Sequence, residues 1–235
     1  MMSINRRLAA SLIAGAMFLS VVPSFAEEPA FLTDKDVVLL DLLPPPPAQD
    51  SETTKAELAA YHDMEKNRTD EQAKFAIADD DETVFRFLDG MGIKIDPAKV
   101  PATAKFFEGL ASTEGAIVDP AKKEWSRPRP PLADATIKPL IKLSKSGAYP
   151  SGHATLGMLF GITLAKMMPE KKNEFLARAV EYGHSRFIVG VHYSSDLEAS
   201  KMAGAAIGNA LLHDEAFLKA MEPVKAELRA AMGMM

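Results

Sequence analysis

Between Leu197 and Leu212 the chain carries Ala199, Ala203, Gly204, Ala206, Gly208 and Ala210. Small residues at three- and four-residue steps share faces of a helix and let a neighbouring helix come close. Such a segment needs other helices to pack on, and the rest of the chain offers them. Strand-like alternation is hard to find, so the pattern predicts an all-α fold built as one helical domain.

Residues 1–26 differ in character. Arg6 and Arg7 precede an apolar run from Leu8 to Val22, and Ser24-Phe25-Ala26 supplies small residues at the two positions a signal peptidase reads. The run is shorter than the roughly 20 apolar residues a spanning helix needs. This predicts a cleaved export signal, a periplasmic or secreted protein, and no stable membrane insertion after cleavage. Loss of residues 1–26 removes two arginines and no acid, which takes the formal net charge from −5 to −7. No long basic run remains, which argues against a nucleic-acid partner. The chain has no cysteine, so thiol nucleophiles, thiolate metal sites and disulfides are excluded.

Glu27 to Asp50 reads as a leader ending in Pro44 to Pro47, whose missing N–H donors favour an extended strap on the surface. Residues 51–235 read as the helical domain. Ser51 or Thr53 caps a first helix carrying Leu58, Tyr61 and Met64. Val84, Phe85, Phe87 and Leu88 predict a short helix stopped at Gly90 and Gly92. Ala102 to Ala111, Asn173 to Tyr182 and Glu215 to Met235 predict three more. Lys138, Lys142 and Lys145 recur near helical spacing as a solvated face. In Arg127-Pro128-Arg129-Pro130-Pro131 the prolines end any helix and hold both arginines on a stiff loop.

Two segments suggest chemistry. After Pro150, Ser151 is placed to cap a helix that continues through Leu156, Leu159, Phe160 and Leu164 to Pro169. A helix N-terminus offers unpaired N–H groups and partial positive charge to an anion, Gly152 puts no side chain in its way, and His153 projects from the same turn. Further on, His192 stands four residues before Asp196. A carboxylate on one imidazole nitrogen fixes the tautomer and frees the other nitrogen to attack or to accept a proton.

Taken together, Lys122 with Arg129-Pro130, Pro150-Ser151-Gly152-His153, and Ser185-Arg186 with His192 and Asp196 form an ordered, spaced set. The competing Arg127-Pro128 does not fit, because Pro120 and not a lysine stands seven residues before Arg127. In this set the chain resembles the type 2 phosphatidic acid phosphatase/vanadium haloperoxidase superfamily, and within it the bacterial class A non-specific acid phosphatases. Leu42 to Pro47 is similar to the segment that precedes the core in class A enzymes. The chain departs from them at Val189 and Tyr193, where those relatives carry cysteine and tryptophan, and at His184, which reads as a polar helix-end residue.

The resemblance implies a helical acid phosphatase. Lys122, Arg129 and Arg186 would surround the non-bridging phosphate oxygens, and the Ser151 hydroxyl and Gly152 N–H would complete the cradle. His192, oriented by Asp196, would attack phosphorus to form a phosphohistidine. His153 would protonate the leaving alcohol and then activate water. Substrates would be small phosphate monoesters taken with broad specificity, with transfer to alcohols as a side reaction. Neither metal nor cofactor is implied, vanadate would inhibit as a phosphate mimic, and the chain would form homo-oligomers. A bell-shaped pH profile on the acid side of neutrality would follow. Competing readings are a vanadium-dependent haloperoxidase, since the same cradle holds vanadate, a non-catalytic periplasmic anion-binding protein, and a metal site on His184, His192 and Asp196.

Overall fold

The computed structural model describes residues 28–234, so the expected signal and its cleavage point at Ala26 lie outside the described residues. Among the described residues there are helices and no strands. They are α1 (Leu39–Leu42), α2 (Glu52–Asn67), α3 (Asp70–Ala78), α4 (Val84–Asp89), α5 (Pro101–Trp125), α6 (Pro130–Ala133), α7 (Gly152–Met167), α8 (Lys172–Ile188), α9 (Ser194–Leu211) and α10 (Glu215–Ala231). None of them is long and apolar enough to cross a membrane.

The fold is arranged around α7. Nearly every residue from Gly152 to Leu164 is buried, as a helix apolar all round must be. Helices α8, α9 and α5 pack against it. Glycines set how closely they approach. A Cβ at Gly157 would come within 2.7 Å of the Tyr182 ring, and one at Gly161 within 2.8 Å of the Ala179 methyl, both on α8. On the other side, Gly204 and Gly208 of α9 lie directly against Met158 and Ile162 of α7. The small residues of α9 thus face the helix that carries the Ser151 turn. Beyond them, Phe87, Phe106, Phe107, Phe160 and Phe217 meet mostly edge to face and join α4, α5, α7 and α10 in one apolar core.

Several boundaries differ from the sequence expectation. The helix expected over Ala102 to Ala111 runs on through Pro120 to Trp125. Pro120 is solvent-exposed, so its missing N–H weakens the ladder only on the outer side, while Ile117, Val118, Ala121 and Lys122 stay buried on the inner side. Lys138, Lys142 and Lys145 are exposed but lie on irregular chain, not on a helix. Pro139 interrupts that stretch, and Leu140 N–H bonds Val189 O, outside any helical ladder. Helix α8 extends past Tyr182 to Ile188, so Ser185 and Arg186 are helical. The leader is more than a surface strap. Leu32, Val37, Leu39 and Leu43 enter the core, Phe31 N–H donates to Thr113 Oγ1 at 2.9 Å, and Tyr149 Oη donates to the Pro44 carbonyl at 2.7 Å.

Candidate active site

The turn between α8 and α9 presents the histidine. Gly190, at φ 81°, reverses the chain after Val189 and lies against the Tyr61 hydroxyl, a left-handed conformation that glycine adopts without strain. Asp196 then falls in the first turn of α9, where its Oδ2 accepts the Tyr193 backbone N–H at 2.9 Å. His192 Nδ1 lies 3.2 Å from the same oxygen. Its Nε2 lies 2.9 Å from Arg129 Nη1. A guanidinium can only donate, so Nε2 carries the lone pair and Nδ1 the hydrogen. The tautomer is fixed from both sides.

Arg127, set aside in the sequence because its Arg-Pro pair does not fit the spaced set, holds the carboxylate in place. Its Nη1 donates to Asp196 Oδ1 at 2.6 Å and to Ser195 Oγ at 2.7 Å, and its Nη2 donates to Glu57 Oε2 at 2.9 Å. The guanidinium stacks 3.9 Å from the centre of the Tyr193 ring. Burial pushes Asp196 up to about 7, and Arg127 and the Tyr193 N–H pull the other way. Three donors, Arg127 Nη1, the Tyr193 N–H and His192 Nδ1–H, favour the ionised carboxylate against that burial. His192 is driven well below its ordinary range, first by burial and then by the positive charge of Arg129, Lys122 and Arg186.

The anion cradle meets this pair at the N-terminus of α7. Ser151 Oγ accepts the Ala154 N–H at 3.3 Å, which leaves its own hydrogen to donate. Gly152 puts no side chain of its own in the anion's way, and a Cβ there would lie 2.5 Å from Glu114 Oε1 and 3.2 Å from Lys122 Nζ. Lys122, in the last turn of α5, is buried, which lowers its pKa. Arg129 is lowered to about 10 by burial and by Arg186; its Nε donates to the Ser146 carbonyl at 3.0 Å. Arg186 Nη1 donates to Asp80 Oδ1 at 2.8 Å, and its buried Nε has no hydrogen-bond partner among the described residues.

His153 stacks on Tyr182 with ring centres 4.1 Å apart. Its Nδ1 lies 3.3 Å from Glu82 Oε1, and its buried Nε2 is unpartnered among the described residues. Burial outweighs the pull of Glu82 and lowers the imidazole to about 4. All eight residues singled out in the sequence (Lys122, Arg129, Ser151, Gly152, His153, Arg186, His192 and Asp196) therefore converge.

Ser185 does not join them. Its hydroxyl donates to Asp79 Oδ2 at 2.7 Å, and Asp79 also receives Arg178 Nη2 at 2.6 Å and Arg86 Nε at 2.8 Å. This network fastens the α3–α4 loop to α8 and so brings Asp80 to Arg186 and Glu82 to His153. His184 is exposed and lies apart from the cradle. It lines a separate cleft between α8 and α9 with Met158, Leu197 and Lys201. Among the described residues no cluster of His, Asp and Glu could hold a metal ion. The sequence reading missed Arg127, Glu57, Asp79, Glu82 and Glu114, whose only local trace is the acidic run Asp79 to Glu82 between two helical segments.

The fold and this cradle define a class, the helical PAP2 and vanadium haloperoxidase architecture. A family model described as the PAP2 superfamily matches residues 103–218. A bacterial vanadium-dependent iodoperoxidase shares the fold with a TM-score of 0.52 at 20% identity, over 72% of this chain and 51% of that one. A transmembrane PAP2-type phosphatidylglycerolphosphate phosphatase from Bacillus subtilis does so with a TM-score of 0.50 at 20% identity, over 77% and 94%. Sequence likeness is more specific. A non-specific acid phosphatase of Salmonella typhimurium is 33% identical over 195 residues, covering 79% of this chain and 78% of that protein. One of Providencia stuartii is 30% identical over 197 residues, covering 80% and 79%. The chain belongs to the PAP2 superfamily, among its bacterial non-specific acid phosphatases.

Proposed function

We propose that the protein hydrolyses small phosphate monoesters outside the cytoplasm through a phosphohistidine on His192. The observation that carries this is the fixed His192 tautomer, with Nδ1–H toward Asp196 and the Nε2 lone pair turned to Arg129. In this scheme the substrate phosphoryl group takes the Arg129 guanidinium from Nε2. Lys122, Arg129, Arg186, the Ser151 hydroxyl and the Gly152 N–H gather its non-bridging oxygens, where transition-state charge accumulates. Nε2 attacks phosphorus, and an N–P bond forms as the P–O ester bond breaks. The leaving oxygen takes the proton from His153 Nε2. Water then attacks phosphorus, gives a proton to His153, and the N–P bond breaks to release phosphate.

The low His153 pKa changes the source of that first proton. A neutral imidazole in the free protein gains it as the anion binds, because an adjacent negative charge stabilises imidazolium. The proton can arrive on the substrate itself, since a phosphate monoester has a second pKa near ~6. Export is proposed on the Arg6 to Ala26 pattern. Broad specificity, transfer to alcohols, vanadate inhibition and homo-oligomers are proposed on the family resemblance alone.

The test is turnover of an aryl phosphate with and without chelator and vanadate, followed by rapid quenching of labelled protein. Expected are chelator-insensitive, vanadate-sensitive release and a label that is lost in acid, stable in alkali, and absent from His192→Ala. A label that persists in His192→Ala would move the nucleophile elsewhere. Iodide oxidation by peroxide with added vanadate, without phosphate release, would favour the haloperoxidase reading.

A further inference from the structure

Glu114 lies in the cradle, yet the mechanism gives it no task. It stands two turns before Lys122 on α5, and its carboxyl and the Lys122 ammonium flank the Gly152 backbone, as the 2.5 and 3.2 Å approaches to a Cβ there show. Its Oε1 is sealed from solvent and has no hydrogen-bond partner among the described residues. As a carboxylate it would repel an oxyanion arriving at the Gly152 N–H and would offer no hydrogen. As a neutral acid it has one O–H to donate at that spot.

We propose that Glu114 is a proton-carrying member of the oxyanion site, donating its carboxyl hydrogen to a bound tetrahedral anion and expelling that anion when it ionises. The surroundings favour the neutral form. Burial raises the carboxyl to about 8; Lys122 opposes this, while Glu82 from the α3–α4 loop and Asp119 from its own helix add to it. The N-terminus of α7 contributes the Gly152 backbone. Oxyanion affinity is then linked to the proton on Glu114 and falls as pH rises through its pKa. An acid preference would thus be built into binding as well as into the histidine chemistry. The inference rests on the reading that this cradle takes a phosphate-like anion.

Calorimetric titration of the whole protein with sulfate, whose charge is constant across the range, tests it. Between about pH 6.5 and about pH 9.5 the wild-type Kd should rise roughly thirtyfold, approaching tenfold per unit above pH 8. Glu114→Gln, whose amide still donates but cannot ionise, should show less than a threefold rise up to about pH 9. In buffers of different ionisation enthalpy the wild type's proton uptake per sulfate should also climb towards ~1 between about pH 7 and about pH 9, where any uptake by His153 falls. That measurement needs no variant. A wild-type Kd flat with pH, or an equal rise in Glu114→Gln, overturns the role of Glu114, the second outcome shifting it to Lys122. Failure of sulfate to bind at any pH overturns the phosphate-site reading as well.

Discussion

Replacing Arg127 with Met tests how the nucleophile is held. The guanidinium is nearly inaccessible and pairs with two carboxylates, Asp196 at 2.6 Å and Glu57 at 2.9 Å, whose side chains are 0% and 9% exposed. Breaking one buried pair by removing a partner costs about 3–5 kcal/mol. With two acids left behind, the upper end applies, and for a domain of this size each kcal/mol lowers Tm by about 2–4 °C. A fall of roughly 10–20 °C is expected. Asp196 already stands at about 7 with Arg127 opposing burial, so without that charge its pKa moves higher and the carboxyl stays protonated at pH values where the wild type has ionised. A protonated carboxyl no longer fixes the His192 tautomer, and kcat should fall about 100-fold or more. Raising the pH should restore part of it as Asp196 ionises, opposite to the wild-type trend. Arg127→Lys keeps a charge but cannot fork to both acids, so it should fall between. Adding Glu57→Gln to Arg127→Met should recover stability and leave kcat low. Thermal unfolding and steady-state kinetics across pH read all three variants against the wild type. A Met variant within 2 °C and threefold of wild type would refute the reasoning.

Three further outcomes follow from the same geometry. With His153 near 4 and the substrate near ~6, the complex that holds one proton between them is most populated between those values. kcat/KM for an aryl phosphate should therefore peak there and drop tenfold per unit above, and an optimum above pH 7 would contradict the scheme. Asp79→Asn leaves Arg86 and Arg178 without their buried carboxylate, so unfolding should become about 3–5 kcal/mol easier in urea, with KM raised as the loop bearing Glu82 loosens; an unchanged midpoint would contradict this. His184→Ala should keep kcat/KM within twofold, because His184 lines the cleft on the other side of α8; a tenfold loss would bring that cleft into the site.

The all-α architecture was readable because its two determinants leave local traces. Small residues recur on α9, and apolar residues cover every face of α7. From the residues alone the Ser151 helix start with His153 and the His192/Asp196 pair were readable, and Lys122, Arg129 and Arg186 joined them only through the family resemblance that the ordered set carries. What escaped the sequence depends on pairing at a distance. Glu57 and Arg127 lie 70 residues apart, and Asp79 and Arg178 lie 99 apart, so no periodicity marks either pair. An arginine between serine and proline looks solvated until Tyr193 and two acids close over it. The full length of α5 past Pro120 escaped for a related reason. A proline stops a helix when its neighbours need the lost N–H, and here the inner face of α5 is held by packing instead.

Burial divides the ion pairs of the site into two kinds. Arg127, Asp196 and Glu57 are sealed together, and breaking that group is costly. Arg186 instead pairs with an acid that reaches solvent, Asp80, with 48% of its side chain exposed. Such a pair contributes about 0–1 kcal/mol, so an arriving phosphate dianion displaces it at little cost, while the pairs that orient His192 stay intact. Asp80 is then a weak competitor for the guanidinium that receives substrate. Asp80→Asn should lower KM for an aryl phosphate by up to about fivefold, the equivalent of 1 kcal/mol, with kcat little changed. The competition should also weaken with salt, so the gain over wild type should shrink at high ionic strength. A KM that rises in Asp80→Asn would mean that Asp80 positions Arg186 rather than competing for it, and the division between exchangeable and fixed pairs would fail at that residue.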